Sequence, residues 1–165
     1  MIQSWLEWLG SSPVGVFMAE NPTAFPWTET VHVLAITLVV GVITIVDLRL
    51  VGLASRGYPV SSLTRALLPA TWIAFLVAAV SGLLLFASNP ITYFDNFYFR
   101  AKMLLLVAAG FNMLVFHVLT MRGIVRWDRE TRLPAPVRVA GAVSLLLWIA
   151  IVACGRWIGF TMAPF

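Results

Sequence analysis

Charge is nearly absent from four long stretches of this chain. Val31–Leu53, Ala70–Ser88, Met103–Met121 and Val139–Met162 are almost wholly apolar. Each is about as long as the hydrocarbon core of a bilayer requires, roughly 20 residues at about 1.5 Å of rise. Of 165 residues, 61% are hydrophobic and 11% charged, more apolar surface than a soluble protein of this size can hide. The expected fold is all-α: a four-transmembrane-helix bundle with helices at about 29–54, 64–88, 99–126 and 137–162. Residues 1–165 make a single integral membrane domain, with no room for a second.

Ahead of the first span, Ile2, Trp5, Leu6 and Leu9 recur at helical spacing. They predict a short helix lying in the membrane interface; the alternative is a loosely ordered terminus. This segment has no basic start, contains Glu7 and is broken by Gly10, Ser11, Ser12 and Pro13, so it does not read as a signal peptide. The single cysteine, Cys154, excludes an intrachain disulfide and a CxxC redox pair.

The basic residues set an orientation. Arg49, Arg56 and Arg65 surround the first loop, and Arg122, Arg126, Arg129, Arg132 and Arg138 the third. The opposite side carries Arg100, Lys102 and Arg156. The richer side is cytoplasmic by the positive-inside rule, which also accounts for the high pI without nucleic acid as a partner. Both termini then face the periplasm or outside of a bacterial inner (cytoplasmic) membrane. Trp27, Tyr93, Tyr98, Trp127 and Trp157 fall near the boundaries, as an aromatic belt would.

Ionisable residues inside a membrane are costly, so each is a functional candidate. Glu29 and His32, spaced i, i+3, share a face at the outer end of helix one. Arg156 ends helix four on that side, and Arg100 and Lys102 open helix three there. A carboxylate, an imidazole and three cations suit haem b, with His32 as axial metal ligand and the cations neutralising propionates. A quinone headgroup suits them too, with His32 and Glu29 as proton partners. A Glu29–Arg156 ion pair that fixes packing is the plainer alternative.

His117 lies near the inner end of helix three, flanked by Met113 and Met121, with Asp47 at similar depth on helix one. Asp47 could hold the imidazole, or pair with Arg49, Arg122 or Arg138. His117 is thus a second cofactor or metal ligand, a proton-relay group, or part of a polar clamp. It lies about 25 Å along helix three from Arg100, so His32 and His117 cannot share one haem within a chain. A haem at His32 needs Met103, Met162, water or a second protomer's His32. One E-x-x-H falls short of the pair that a di-iron bundle needs, and catalytic zinc wants about three protein ligands.

The segments Glu29-Thr-Val-His32-Val-Leu, Gly41, Asp47-Leu-Arg49-Leu-Val-Gly52, Phe99-Arg-Ala-Lys102-Met-Leu-Leu, Phe116-His117 and Gly155-Arg156 together carry a resemblance. The chain resembles, over nearly its whole length, a bacterial family of small four-helix membrane proteins known only as a domain of unknown function. More distantly, His32, Lys102 and His117 match an outline similar to membrane haem proteins of the protoporphyrinogen-oxidase type and to copper-resistance membrane domains. The family resemblance implies the four-helix architecture and no biochemical activity; the distant one, with the intramembrane histidines and outer-side cations, points to redox chemistry. Two expectations follow: a redox-associated membrane protein holding haem or quinone near the outer face, or a non-catalytic subunit anchoring a larger complex. In either case the partners are the bilayer and other protein chains or further copies of this one.

Overall fold

The computed structural model describes residues 1–55, 57–120, 123–128, 130 and 132–162, the side chains of Thr120, Val125 and Arg126 excepted. The expectations placed on Arg56, Met121, Arg122 and Arg129 lie outside the described residues, as does that on the Arg126 side chain.

All regular structure among the described residues is helical. Two short helices come first, α1 (Ile2–Gly10) and α2 (Pro13–Glu20). Ser12 separates them: its hydroxyl accepts from Gly15 N at 3.1 Å, and Pro13 supplies the first turn of α2, where its missing N–H costs nothing. No residue of α1 is buried, and Trp5 and Trp8 are mostly exposed.

Four long helices follow: α3 (Ala24–Val51), α4 (Val60–Ser88), α6 (Phe97–Val115, continued by a π turn at Phe116–Thr120) and α8 (Ala135–Met162). The short helices α5 (Pro90–Asp95) and α7 (Ile124–Trp127) lie in the connections. All four long helices are long and apolar enough to cross a membrane. Leu76, Leu83, Leu104, Val107, Leu146 and Ile149 stand on their outsides, as a lipid-facing surface requires.

Each long helix stops for a local reason. Gly52, at φ 86°, takes the left-handed cap that closes α3, and its N–H returns to Leu48 and Arg49 carbonyls. Extended Pro59 precedes α4, and Pro90 starts α5 straight after it. The Asn96 side chain accepts from Tyr98 N and Phe99 N, capping α6.

Helix α3 packs on both α4 and α8, and α6 packs on α8. At the end carrying α1, α2 and α5, here the capped end, Phe86 of α4 stacks on Phe99 of α6 with ring centroids 5.2 Å apart and Tyr93 against both. Helices α6 and α8 are joined there by Tyr98 on Trp157 and by Asn96 Nδ2 donating to Thr161 at 2.8 Å. At the opposite end, Leu50, Val60, Phe116, Trp127, Leu133 and Val137 form an apolar core. Arg49 is 1% exposed beside it. Its Nε donates to Tyr58 O at 2.9 Å and its Nη2 to Glu130 O at 3.1 Å and Asp128 O at 3.5 Å, tying together the two connections.

Candidate functional site

The interior stripe of α3 runs through Thr28, His32, Ala35 and Val39, at the three- and four-residue steps that keep one helix face inward. Ala35 and Val39 are buried, so the stripe delivers His32 into the bundle about 12 Å along the helix from Ala24. A helix of 28 residues is about 42 Å long and overreaches a 30 Å hydrocarbon core by about 6 Å at each end. His32 therefore lies about 6 Å inside the apolar boundary at the capped end, where an imidazole needs partners.

Helix α4 provides the first one. His32 Nδ1 lies 3.0 Å from Ser81 Oγ, and Ser81 is only 4% exposed. The Ser81 hydroxyl spends its one proton on the Val77 carbonyl at 2.6 Å, with Ala78 O at 3.2 Å. A hydroxyl used in this way has lone pairs left to accept from His32, an arrangement that goes with the tautomer protonated at Nδ1 and open at Nε2. Gly82 makes the approach possible: a Cβ there would lie 2.9 Å from His32 Cε1 and 3.4 Å from Nδ1.

Helices α6 and α8 complete the cluster. Lys102 of α6 is half-buried, and its ammonium is close enough for its charge to act on His32. The same ammonium lies beside Cys154 of α8, with Nζ 3.7 Å from where a Gly155 Cβ would stand. Each of the four long helices thus contributes to one polar cluster: His32, Ser81, Lys102 and Cys154.

The other expected site residues lie around or away from it. Glu29 is exposed one turn nearer the capped end. Burial pushes the Tyr93 phenol above its ordinary value, and the nearby Glu29 charge adds to the shift. Arg100 is exposed on α6, and the Arg156 guanidinium lies over the Phe160 ring, 4.6 Å from its centroid. No ion pair joins Arg156 to Glu29 among the described residues. His117 is exposed, with Nδ1 bound 2.9 Å from the Met113 carbonyl of its own helix. It stands 15 residues beyond Lys102, about 22 Å away, so the two histidines serve separate places.

Asp47 does not hold His117. It is 5% exposed, with the Ser144 hydroxyl of α8 as the polar neighbour of its carboxyl. Sequence reasoning missed both serine partners. The signal available was a hydroxyl in an otherwise apolar span, and for Ser81 the glycine directly after it.

A model for the family of unknown function DUF6644 matches residues 3–161. The chain belongs to that family. No curated protein and no solved structure matches it significantly. The DUF6644 match carries no activity with it and lends no support to the likeness to membrane haem proteins or copper-resistance domains; the four-helix membrane architecture rests on the four long apolar helices themselves.

Proposed function

We propose that this DUF6644 protein is a redox-associated membrane protein that holds a quinone headgroup at His32 and Lys102. One observation carries the reading: Ser81 fixes the His32 ring so that Nε2 is its acceptor, beside a half-buried ammonium. A quinone carbonyl needs a donor, which Lys102 supplies. The reduced ring needs an acceptor for its hydroxyl proton, which Nε2 supplies. A groove of about 640 Å³ between α2, α3 and α4 supports the same reading. It is lined by Phe17, Met18, Trp27, Thr28 and Leu84, and Thr28 lies one turn from His32 on the same stripe. Its apolar walls suit an isoprenoid tail. Under the positive-inside rule the cluster faces the outer leaflet of a bacterial inner membrane, with both termini outside.

The locked ring also favours a second reading, b-type haem ligated through Nε2, because a hydrogen-bonded Nδ1–H orients an imidazole for metal. With His117 about 22 Å away, only one histidine is available to it. The non-catalytic alternative, an anchoring subunit, draws on the exposed tryptophans of α1 as a docking surface.

Spectra of detergent-purified protein, oxidised and dithionite-reduced, followed by solvent extraction of the same sample, separate these readings. We expect an extractable quinone near one per chain, strongly reduced in His32→Ala and Lys102→Met. A Soret band lost in His32→Ala transfers the site to haem. A colourless sample with no extractable quinone overturns both and leaves the anchoring subunit.

A further inference from the structure

In the half of the bundle away from His32, a carboxyl group is buried with no ion-pair partner among the described residues. Asp47 is 5% exposed on α3. The Ser144 hydroxyl of α8 is the polar neighbour of its carboxyl, and Asp47 Oδ2 has no hydrogen-bond partner among the described residues. The helices meet closely here: a Cβ at Gly141 of α8 would lie 2.8 Å from Leu50 Cβ and 3.1 Å from the Asp47 carbonyl oxygen, so this seam is tight. The cations around Asp47 are engaged or turned away. Arg49, two residues on, points to another side of α3; its Nε and Nη2 are committed to the Tyr58, Asp128 and Glu130 carbonyls, and its buried Nη1 has no hydrogen-bond partner among the described residues. Arg138 on α8, Arg65 on α4 and His117 after α6 are exposed.

A carboxylate in an apolar interior with one hydroxyl donor and no cation is far costlier than an under-bonded neutral acid. We propose that Asp47 carries a proton: it is a neutral carboxylic acid inside the membrane, steadied by Ser144, and so a proton-binding site distinct from the His32 cluster. The inference stands on the surroundings of Asp47 alone and does not depend on which ligand, if any, His32 holds.

Infrared difference spectroscopy of the full chain in detergent at neutral pH, wild type minus Asp47→Asn, tests it directly. The expected result is a carboxylic-acid C=O band in the wild type, absent from the variant and shifted in heavy water. Paired carboxylate stretches in its place overturn the proposal. Ser144→Ala keeps the acid and serves as the second variant should Asp47→Asn fail to fold. In that variant too the acid band is expected to persist, and carboxylate stretches in its place overturn the proposal.

Discussion

Single side chains set the character of this bundle, because a polar atom below the headgroups is costly unless it finds a partner inside the protein. Ser81 shows this most simply, since it is satisfied by its own helix and so has only lone pairs left for His32. Ser81→Ala should free the ring, cost about 1 kcal/mol in stability and lower quinone retention several-fold without abolishing the fold. Melting temperature and extracted quinone from the same preparation read both effects. Gly82→Ala acts on the same ring by a different route. Its methyl would meet Cε1 at 2.9 Å, so His32 must turn off Ser81 or the helices must part, at about 1–3 kcal/mol. Arg49 carries more weight, because it is fully buried and donates to three carbonyls in two separate connections. Arg49→Ala should cost about 3 kcal/mol or more and expose the Tyr58 and Glu130 segments to limited proteolysis, an outcome Arg49→Lys only partly prevents because one ammonium cannot span the fork. The sequence exposed His32 and Lys102 as candidates because charge in an apolar run is conspicuous. It hid Ser81 and Ser144, since a serine in a membrane helix usually bonds back to its own turn, and only the packing of a neighbouring helix reveals the second role.

Among the elements, the long helices were legible and their ends less so. Apolar runs located all four, yet α3 begins at Ala24 and α4 at Val60, earlier than the charge-free stretches suggest. Thr23 and Pro59 start them in polar, interfacial sequence that hydropathy does not count. The third span departs in the other direction, giving way at Phe116 to a π turn that displaces His117 outward. The corner of α1 and α2 was readable only in part: the amphipathic first helix was evident, its contact with α4 was not. Gly15 makes that contact, since a Cβ there would lie 2.5 Å from Leu9 O, 2.7 Å from Gly10 O and 2.9 Å from Ala87 O. All three are backbone atoms and cannot swing aside. Gly15→Ala should detach α2 from α4 and open the apolar groove, seen as a red shift and faster quenching of tryptophan emission with the four spans intact by circular dichroism. The α5 connection has its own signature in alkali. The raised Tyr93 value stems from burial first and Glu29 second. A group raised in the folded state contributes stability below its unfolded value of about 10 and loses it as pH climbs through the folded one. Wild type should therefore weaken above about pH 10 more steeply than Tyr93→Phe, with Glu29→Gln in between.

For the whole molecule, the decisive property is the asymmetry between its two ends. One end is closed by aromatic rings and short helices over a cluster of His32, Ser81 and Lys102; the other by an apolar core around a buried arginine. Eight of the 11 basic residues of the chain belong to the loops of the second end; under the proposed orientation that end is cytoplasmic and the His32 cluster faces outward. The consequence is physical as well as topological. A ligand at His32 would exchange protons with the outer aqueous phase past Glu29, and Asp47 would face the inner one. The single native cysteine makes the orientation measurable. With Cys154→Ala as background, a cysteine is placed at Ser11 in the corner of the capped end or at Gly57 in the first connection, both outside the spans. A membrane-impermeant maleimide applied to spheroplasts should modify Ser11→Cys directly and Gly57→Cys only after lysis. The reverse pattern would turn the His32 cluster toward the cytoplasm, and with it any quinone it binds, so that proton exchange at that ring would draw on the inner phase instead.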